Sequence, residues 1–292
     1  MCGIIAEMFS ESLIRLKEKN LMREIKNRNS PQGTRIVIDG KEYINFSSNN
    51  YLGLANHPHV IESAQKAIAM FGFGSGASRL LCGGSILHSE LEKRTAKFKG
   101  TESALIFNSG YSANTGIIPA IADEGDVIFS DELNHASIVD GCRLSKAKKI
   151  IYRHKDIGHL SELIEKETAK RKIIITDSVF SMDGDIAPLK KIYNICSSLN
   201  AERLTPNALL YIDDAHGTGV LGNGKGALAH FGIKPEPWII QMGTFSKALG
   251  SFGAFAAGSK DAIGWILNTA RSFIFSTALP SCAAAASIAA LE

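Results

Sequence analysis

Between Ser103 and Ala257 the chain alternates short, continuously apolar runs with longer amphipathic stretches, and this limits the fold more than any other feature. The apolar runs are Ser103–Asn108, Asp126–Ser130, Lys149–Arg153, Lys172–Thr176, Ala208–Ile212, Ile239–Met242 and Gly253–Ala257. Helical patterns separate most of them: Ser112–Ile121, 135–146, 159–170 and 189–199. A strand with no polar alternation is buried on both faces, and strands that alternate with helices form a parallel sheet covered on both sides. The expected fold class is therefore α/β: a mostly parallel seven-stranded sheet flanked by helices. Upstream, residues 7–29 read as a charged amphipathic helix broken by Ser30-Pro31-Gln32-Gly33. Thr34–Ile38 and Glu42–Phe46 flank Asp39-Gly40, a hairpin signal. Helical patterns near 58–71 and 86–99 enclose a glycine-rich loop over 72–85.

Composition narrows the partners. The formal charge is +3, and no Lys/Arg block is interleaved with aromatics, so nucleic acid is not expected. The cluster Lys146, Lys148, Lys149 reads as a solvated face. Five widely spaced cysteines without a C-x-x-C pair argue against a disulfide framework or a structural zinc site. No run reaches the roughly 18 apolar residues of a membrane span. The apolar start meets Glu7 and Glu11 too early for a signal peptide. A cytoplasmic protein without membrane partners is expected.

Ligands of such sheets bind beyond the carboxyl ends of the strands, and four groups of residues lie there. Asn108-Ser109-Gly110-Tyr111 opens a helix, whose free N–H groups and dipole suit a phosphate. Read alone, this group is equally an ordinary cap. His135 follows the second strand and could stack on a planar ring, although a lone histidine is more often structural. Asp213 and Asp214 close an apolar strand, where burial calls for a cationic partner such as a protonated pyridinium nitrogen; His216 follows three residues after Asp213. A metal is the rival there, but no second His/Asp pair with ligand spacing appears, so none is expected. Thr244-Phe245-Ser246-Lys247 places a lysine among small and apolar residues, a setting that lowers an amine's pKa and suits imine formation. Lys247 alone would be a surface lysine. Together the groups supply what pyridoxal 5'-phosphate (PLP) requires: a carboxylate for the ring nitrogen, an amine for the aldehyde, and a phosphate cup.

At these residues the sequence resembles the α-oxoamine synthase family of fold-type-I PLP-dependent transferases, whose fold is aspartate-aminotransferase-like. The matching segments run nearly end to end. They include Asn45–Leu54, Gly74-Ser75-Gly76, His88–Glu92, Asn134-His135-Ala136-Ser137, Val179–Asp185, Asp213–Gly219 and Thr244–Lys247. The resemblance implies that Lys247 carries the cofactor and moves a proton, Asp213 pairs with the pyridinium, and His135 stacks on the ring. It assigns His216 and Ser181 to the phenolic oxygen, and Gly110, Tyr111 and Thr244 to the phosphate. Ser276-Thr277 resembles a segment that reaches a partner's phosphate, which implies a homodimer with a shared active site. Arg23, Asn49 and His135 fall at substrate-binding positions.

The implied reaction is the decarboxylative condensation of an amino acid with an acyl thioester. Asp-Asp-Ala-His-Gly-Thr-Gly and Ala187-Pro188-Leu189 favour the biotin-pathway branch, which uses L-alanine and pimeloyl-CoA or pimeloyl-carrier protein. Other branches, which use glycine or serine, share the core motifs. Expected boundaries are 1–57 for an N-terminal helix and hairpin, 58–280 for the PLP-binding domain, and 281–292 for the start of a linker helix. Family members continue past this point into a small domain that supplies an arginine for the amino-acid carboxylate. A PLP-binding fragment with little activity is therefore the alternative to an active synthase. The segment 200–207 is long for the family and is expected to bulge at the surface.

Overall fold

The computed structural model describes residues 2–201 and 207–292, so the expected surface bulge lies largely outside the described residues. They divide into two compact units, one ending at Phe46 and the other starting at Ser47. In the first, helix α1 (Cys2–Glu18) precedes the antiparallel hairpin of β1 (Arg35–Ile38) and β2 (Lys41–Ile44). Asp39 and Gly40 turn the hairpin with φ of 51° and 74°, the left-handed pair of a type I′ turn. The helix is shorter than the expected 7–29. Asn20, at φ 55°, ends it: Asn20 N–H donates to Lys17 O at 3.0 Å and Leu21 N–H to Leu16 O at 2.8 Å. That is a Schellman stop with asparagine in the usual glycine place.

The second unit opens with a 3-10 turn at Leu54–Asn56, then α2 (Pro58–Phe71) and α3 (Ile86–Lys99). There follow β3 (Ser103–Phe107), α4 (Gly110–Ile121), β4 (Val127–Asp131), α5 (Ala136–Leu144), β5 (Lys148–Tyr152), α6 (Ile157–Lys166), β6 (Lys172–Asp177), α7 (Leu189–Ala201) and β7 (Ala208–Asp213). The unit ends with α8 (Ala227–His230), β8 (Ile239–Thr244), β9 (Ala254–Gly258), α9 (Lys260–Thr269), α10 (Arg271–Ile274) and α11 (Ser281–Leu291). The seven strands form one sheet in the order β3-β9-β8-β7-β6-β4-β5, with β9 antiparallel to both its neighbours. The remaining pairs are parallel, as expected. Helices α8 to α10 were not legible in the sequence; α9 carried a usable signal in Ser259, whose side chain accepts from Ala262 N–H.

Side chains along the central strands alternate between two cores. Ile173, Ile175 and Tyr211 pack with Ile117, Ile118, Ile138 and Ile266 from α4, α5 and α9. Ile174, Leu210 and Ile212 point the other way, to Leu160, Ile164, Ile192 and Leu228 from α6, α7 and α8. Because both faces are dry, the strands read as unbroken apolar runs. A third cluster joins Leu91 of α3 and Ala284 of α11 to Ile106, Phe245 and Phe255.

The sheet register levels the strand ends: Asp177 pairs with Asp213, and Asp213 with Met242. Helices α4 and α5 cross closely. A Cβ added to Gly141 would lie 2.7 Å from Asn114 O and 2.9 Å from Ile118 Cδ1. Gly141→Ala is therefore expected to push α5 off α4 and cost about 1–3 kcal/mol, read as a lower urea midpoint.

Candidate active site

A cavity of about 130 Å³ opens at the carboxyl ends of the parallel strands. Its walls include Gly110, Tyr111, His135, Ser181, Asp213, His216, Thr244 and Lys247, so residues scattered over nearly 140 positions converge. Asp177, Ser137 and Ser246 also line it.

Asp213 ends β7 and is 4% exposed. One carboxylate oxygen accepts from Asn114 Nδ2 at 2.7 Å and the other from Ala215 N–H at 3.0 Å. Asn114 is itself held, its Oδ1 accepting from Tyr211 Oη at 2.6 Å. Burial pushes the Asp213 carboxyl above the ordinary range, against the Asn114 hydrogen bond and the Lys247 charge. All its direct hydrogen-bond partners are neutral, so the carboxylate is able to take a cationic partner in the cavity.

Asp214 turns the other way. It is 1% exposed and pairs with fully buried Lys99 Nζ at 2.8 Å. Ser178 Oγ at 2.7 Å and Thr218 Oγ1 at 3.0 Å also donate to it. The cation that balances Asp214 is thus a lysine of α3 and not a cofactor. Lys99 carried no sequence signal, because it ends a charged helix among Lys93, Arg94 and Lys97.

Asp177 was also missed. It closes an apolar strand just as Asp213 does, and that repetition was the available signal. Its Oδ2 accepts from His135 N–H at 2.7 Å. Burial, followed by the neighbouring Asp213 charge, holds its carboxyl well above the ordinary range. His135 caps α5: Ser137 N–H donates to its Nδ1 at 3.2 Å. Lys247 follows β8, and burial lowers its ammonium pKa against the pull of Asp213 and Asp177. His216 falls to about 4, through burial first and then the nearby Lys247 and His135 charges. Ser181 rides a loop whose Asp185 carboxylate meets His154 Nε2 at 3.0 Å and Lys155 Nζ at 2.7 Å.

Two features fit a phosphate. Thr244 Oγ1 is buried without a hydrogen-bond partner. Beside it begins α4, where Ser109 Oγ accepts from Ser112 N–H at 3.1 Å while Gly110 and Tyr111 hold the first, open amides. A Cβ on Gly110 would lie 3.0 Å from Thr244 Cγ2, so the cradle leaves little room for a larger residue.

Three expected site residues lie elsewhere. Asn49 is two contacts removed from the cavity wall: its Oδ1 lies 3.1 Å from Tyr51 Oη, which in turn meets His216 Nδ1 at 2.7 Å. Thr277 bridges to Ser78, and its carbonyl accepts from Asn108 Nδ2 at 2.8 Å. Arg23 belongs to the N-terminal unit, exposed in the irregular stretch after α1.

This fold, a lysine after β8 and an aspartate ending β7 define a PLP-dependent transferase. The chain belongs to the class I and II aminotransferases, whose family profile matches residues 41–292, and within them to the α-oxoamine synthases. It is 58% identical over 287 residues to a protein of Thermodesulfovibrio yellowstonii, covering 98% of this chain and 72% of the relative. It is 53% identical over 290 residues to the 8-amino-7-oxononanoate synthase of Geobacter metallireducens, covering 99% and 72%. The solved serine palmitoyltransferase of S. paucimobilis with bound PLP–myriocin matches at TM-score 0.86 and 30% identity, over 99% of this chain and 70% of that one.

Two outcomes follow from these partners. Lys99→Met strands the Asp214 charge and is expected to cost about 3–5 kcal/mol in urea unfolding. His216 binds its proton more weakly folded than unfolded, so its contribution to stability is complete above the ordinary histidine pKa. It is lost as pH falls toward 4. His216→Asn is therefore expected to flatten the decline in stability over that window, followed by thermal melts against pH.

Proposed function

We propose that the chain catalyses the PLP-dependent decarboxylative condensation of L-alanine with pimeloyl-CoA or pimeloyl-carrier protein, giving 8-amino-7-oxononanoate for biotin synthesis. The observation that carries this reading is the convergence on one cavity of Lys247, Asp213, the orphaned Thr244 hydroxyl and the open start of α4. High identity to relatives bearing that synthase name supports the choice of substrates.

Bound PLP supplies an aldehyde that joins amines and a pyridinium ring that draws electrons from the amino acid's α-carbon. The chain's own groups do the rest. Asp213, kept in line by Asn114 and the Ala215 amide, would set its carboxylate against the ring nitrogen and favour that nitrogen's protonated form. Thr244 Oγ1 and the Gly110 and Tyr111 amides take the phosphate. His135, anchored through its amide to Asp177 and through Nδ1 to Ser137, has its ring fixed for stacking and for meeting substrate. Ser181 and His216, both on the cavity wall, would meet the phenolic oxygen. Lys247, its ammonium destabilised by burial, is a primary amine able to attach the cofactor. When not attached to the cofactor, the Lys247 amine would serve as the base for the substrate's α-proton.

Thr277 lies outside its own chain's cavity, at the edge of a groove of about 430 Å³ lined by Leu80, Leu81, Ile274 and Phe275. This placement supports a homodimer in which Thr277 serves the partner's phosphate. Among the described residues no helix is long and apolar enough to cross a membrane. Arg23 and Asn49 are assigned to substrate.

Purified protein given PLP, L-alanine and a pimeloyl thioester is expected to release carbon dioxide and product, with glycine and serine as comparison substrates. Lys247→Ala is expected to lose both the visible absorbance of the attached cofactor and at least about 10²-fold in turnover. Normal turnover in that variant would sink the assignment. Asp213→Asn is expected to lower kcat more than PLP affinity.

A further inference from the structure

His216 lines the cavity, yet its Nδ1 is held by a residue that does not. Tyr51 Oη lies 2.7 Å away, with the two rings tilted by 50°. The same hydroxyl lies 3.1 Å from Asn49 Oδ1, so Tyr51 joins a substrate-side candidate to a cofactor-side one. The turn that carries it is firmly built. Tyr51 N–H donates to Asn49 O at 2.9 Å, Gly53 N–H to Asn50 O at 3.0 Å, and Ala55 N–H to Asn50 Oδ1 at 3.1 Å. The turn also rests on the segment that follows Lys247: a Cβ at Gly250 would lie 2.2 Å from Ala55 N and 2.5 Å from Leu54 C. The backbone under Tyr51 is thus seated on the backbone after the lysine.

A histidine held near 4 is neutral at neutral pH and carries one ring proton. Burial raises the Tyr51 pKa, so its hydroxyl keeps a proton to donate. Given to Nδ1 over the shorter contact, that proton leaves the imidazole's own on Nε2, which has no hydrogen-bond partner among the described residues. The geometry points to Tyr51 as a positioning residue: its hydroxyl fixes the His216 ring and keeps Nε2 a donor toward the phenolic oxygen of bound PLP. This rests on the cofactor reading above.

The test is Tyr51→Phe, which keeps the ring and the turn. PLP affinity of the apoprotein is measured by fluorescence, and the visible band of the PLP-loaded protein is titrated with pH in the absence of substrate. Affinity is expected to fall roughly 3- to 10-fold, the loss of about one hydrogen bond. The band's midpoint is expected to move to higher pH. A weaker donor at the phenolic oxygen competes less for the proton shared between that oxygen and the lysine-derived nitrogen. In a His216→Asn background, adding Tyr51→Phe is expected to change neither quantity. Wild-type affinity and midpoint in Tyr51→Phe would overturn the inference, as would full additivity in the double variant. A wild-type protein with no visible band would overturn the cofactor reading first, and this inference with it.

Discussion

Two adjacent buried carboxylates at the end of β7 are satisfied in opposite ways, and the site depends on that difference. Asp214 faces inward to Lys99, Ser178 and Thr218, a closed set that ties α3 to the turn after β7. Asp213 receives neutral donors from Asn114 and Ala215 and lines the cavity without a direct ion pair. Taking a carboxylate out of water costs several kcal/mol unless a cation compensates. The fold meets that cost internally for Asp214, whereas the hydrogen-bond partners of Asp213 are all neutral.

The same low-dielectric pocket acts on three other groups at once. It weakens the Lys247 ammonium, drives His216 to neutrality and holds Asp177 above the ordinary carboxylate range. These shifts share one cause, burial, and together they favour a neutral amine and a neutral imidazole beside an acid-rich floor. The close crossing of α4 and α5 at Gly141 is part of that machinery, since Asn114 lies at the crossing and touches Asp213.

Much of this was legible in the sequence. The apolar runs marked every strand of the large sheet, and for the central strands this is because burial on both faces leaves no polar alternation to disguise them. Lys247, Asp213, His216 and His135 stood out because each follows such a run. Other residues stayed hidden for physical reasons. Lys99 looks like its solvated neighbours on α3 until Asp214 is placed beside it. Tyr51 sits in a turn whose own residues give no hint that His216, far along the chain, lies at 2.7 Å. Helix α1 was drawn too long because its charged pattern runs on past Asn20, while the stop depends on one residue's left-handed backbone.

The sequence by itself determined the layered α/β architecture, the strand-end motifs that carry Lys247 and Asp213, and the family resemblance. Those follow from local periodicity and from motifs a few residues long. Only the tertiary structure decided which of two consecutive aspartates lines the cavity, which lysine neutralises the other, and which hydroxyl meets His216. Those are pairings across a hundred residues or more, set by strand register and helix crossing, and no local pattern encodes them.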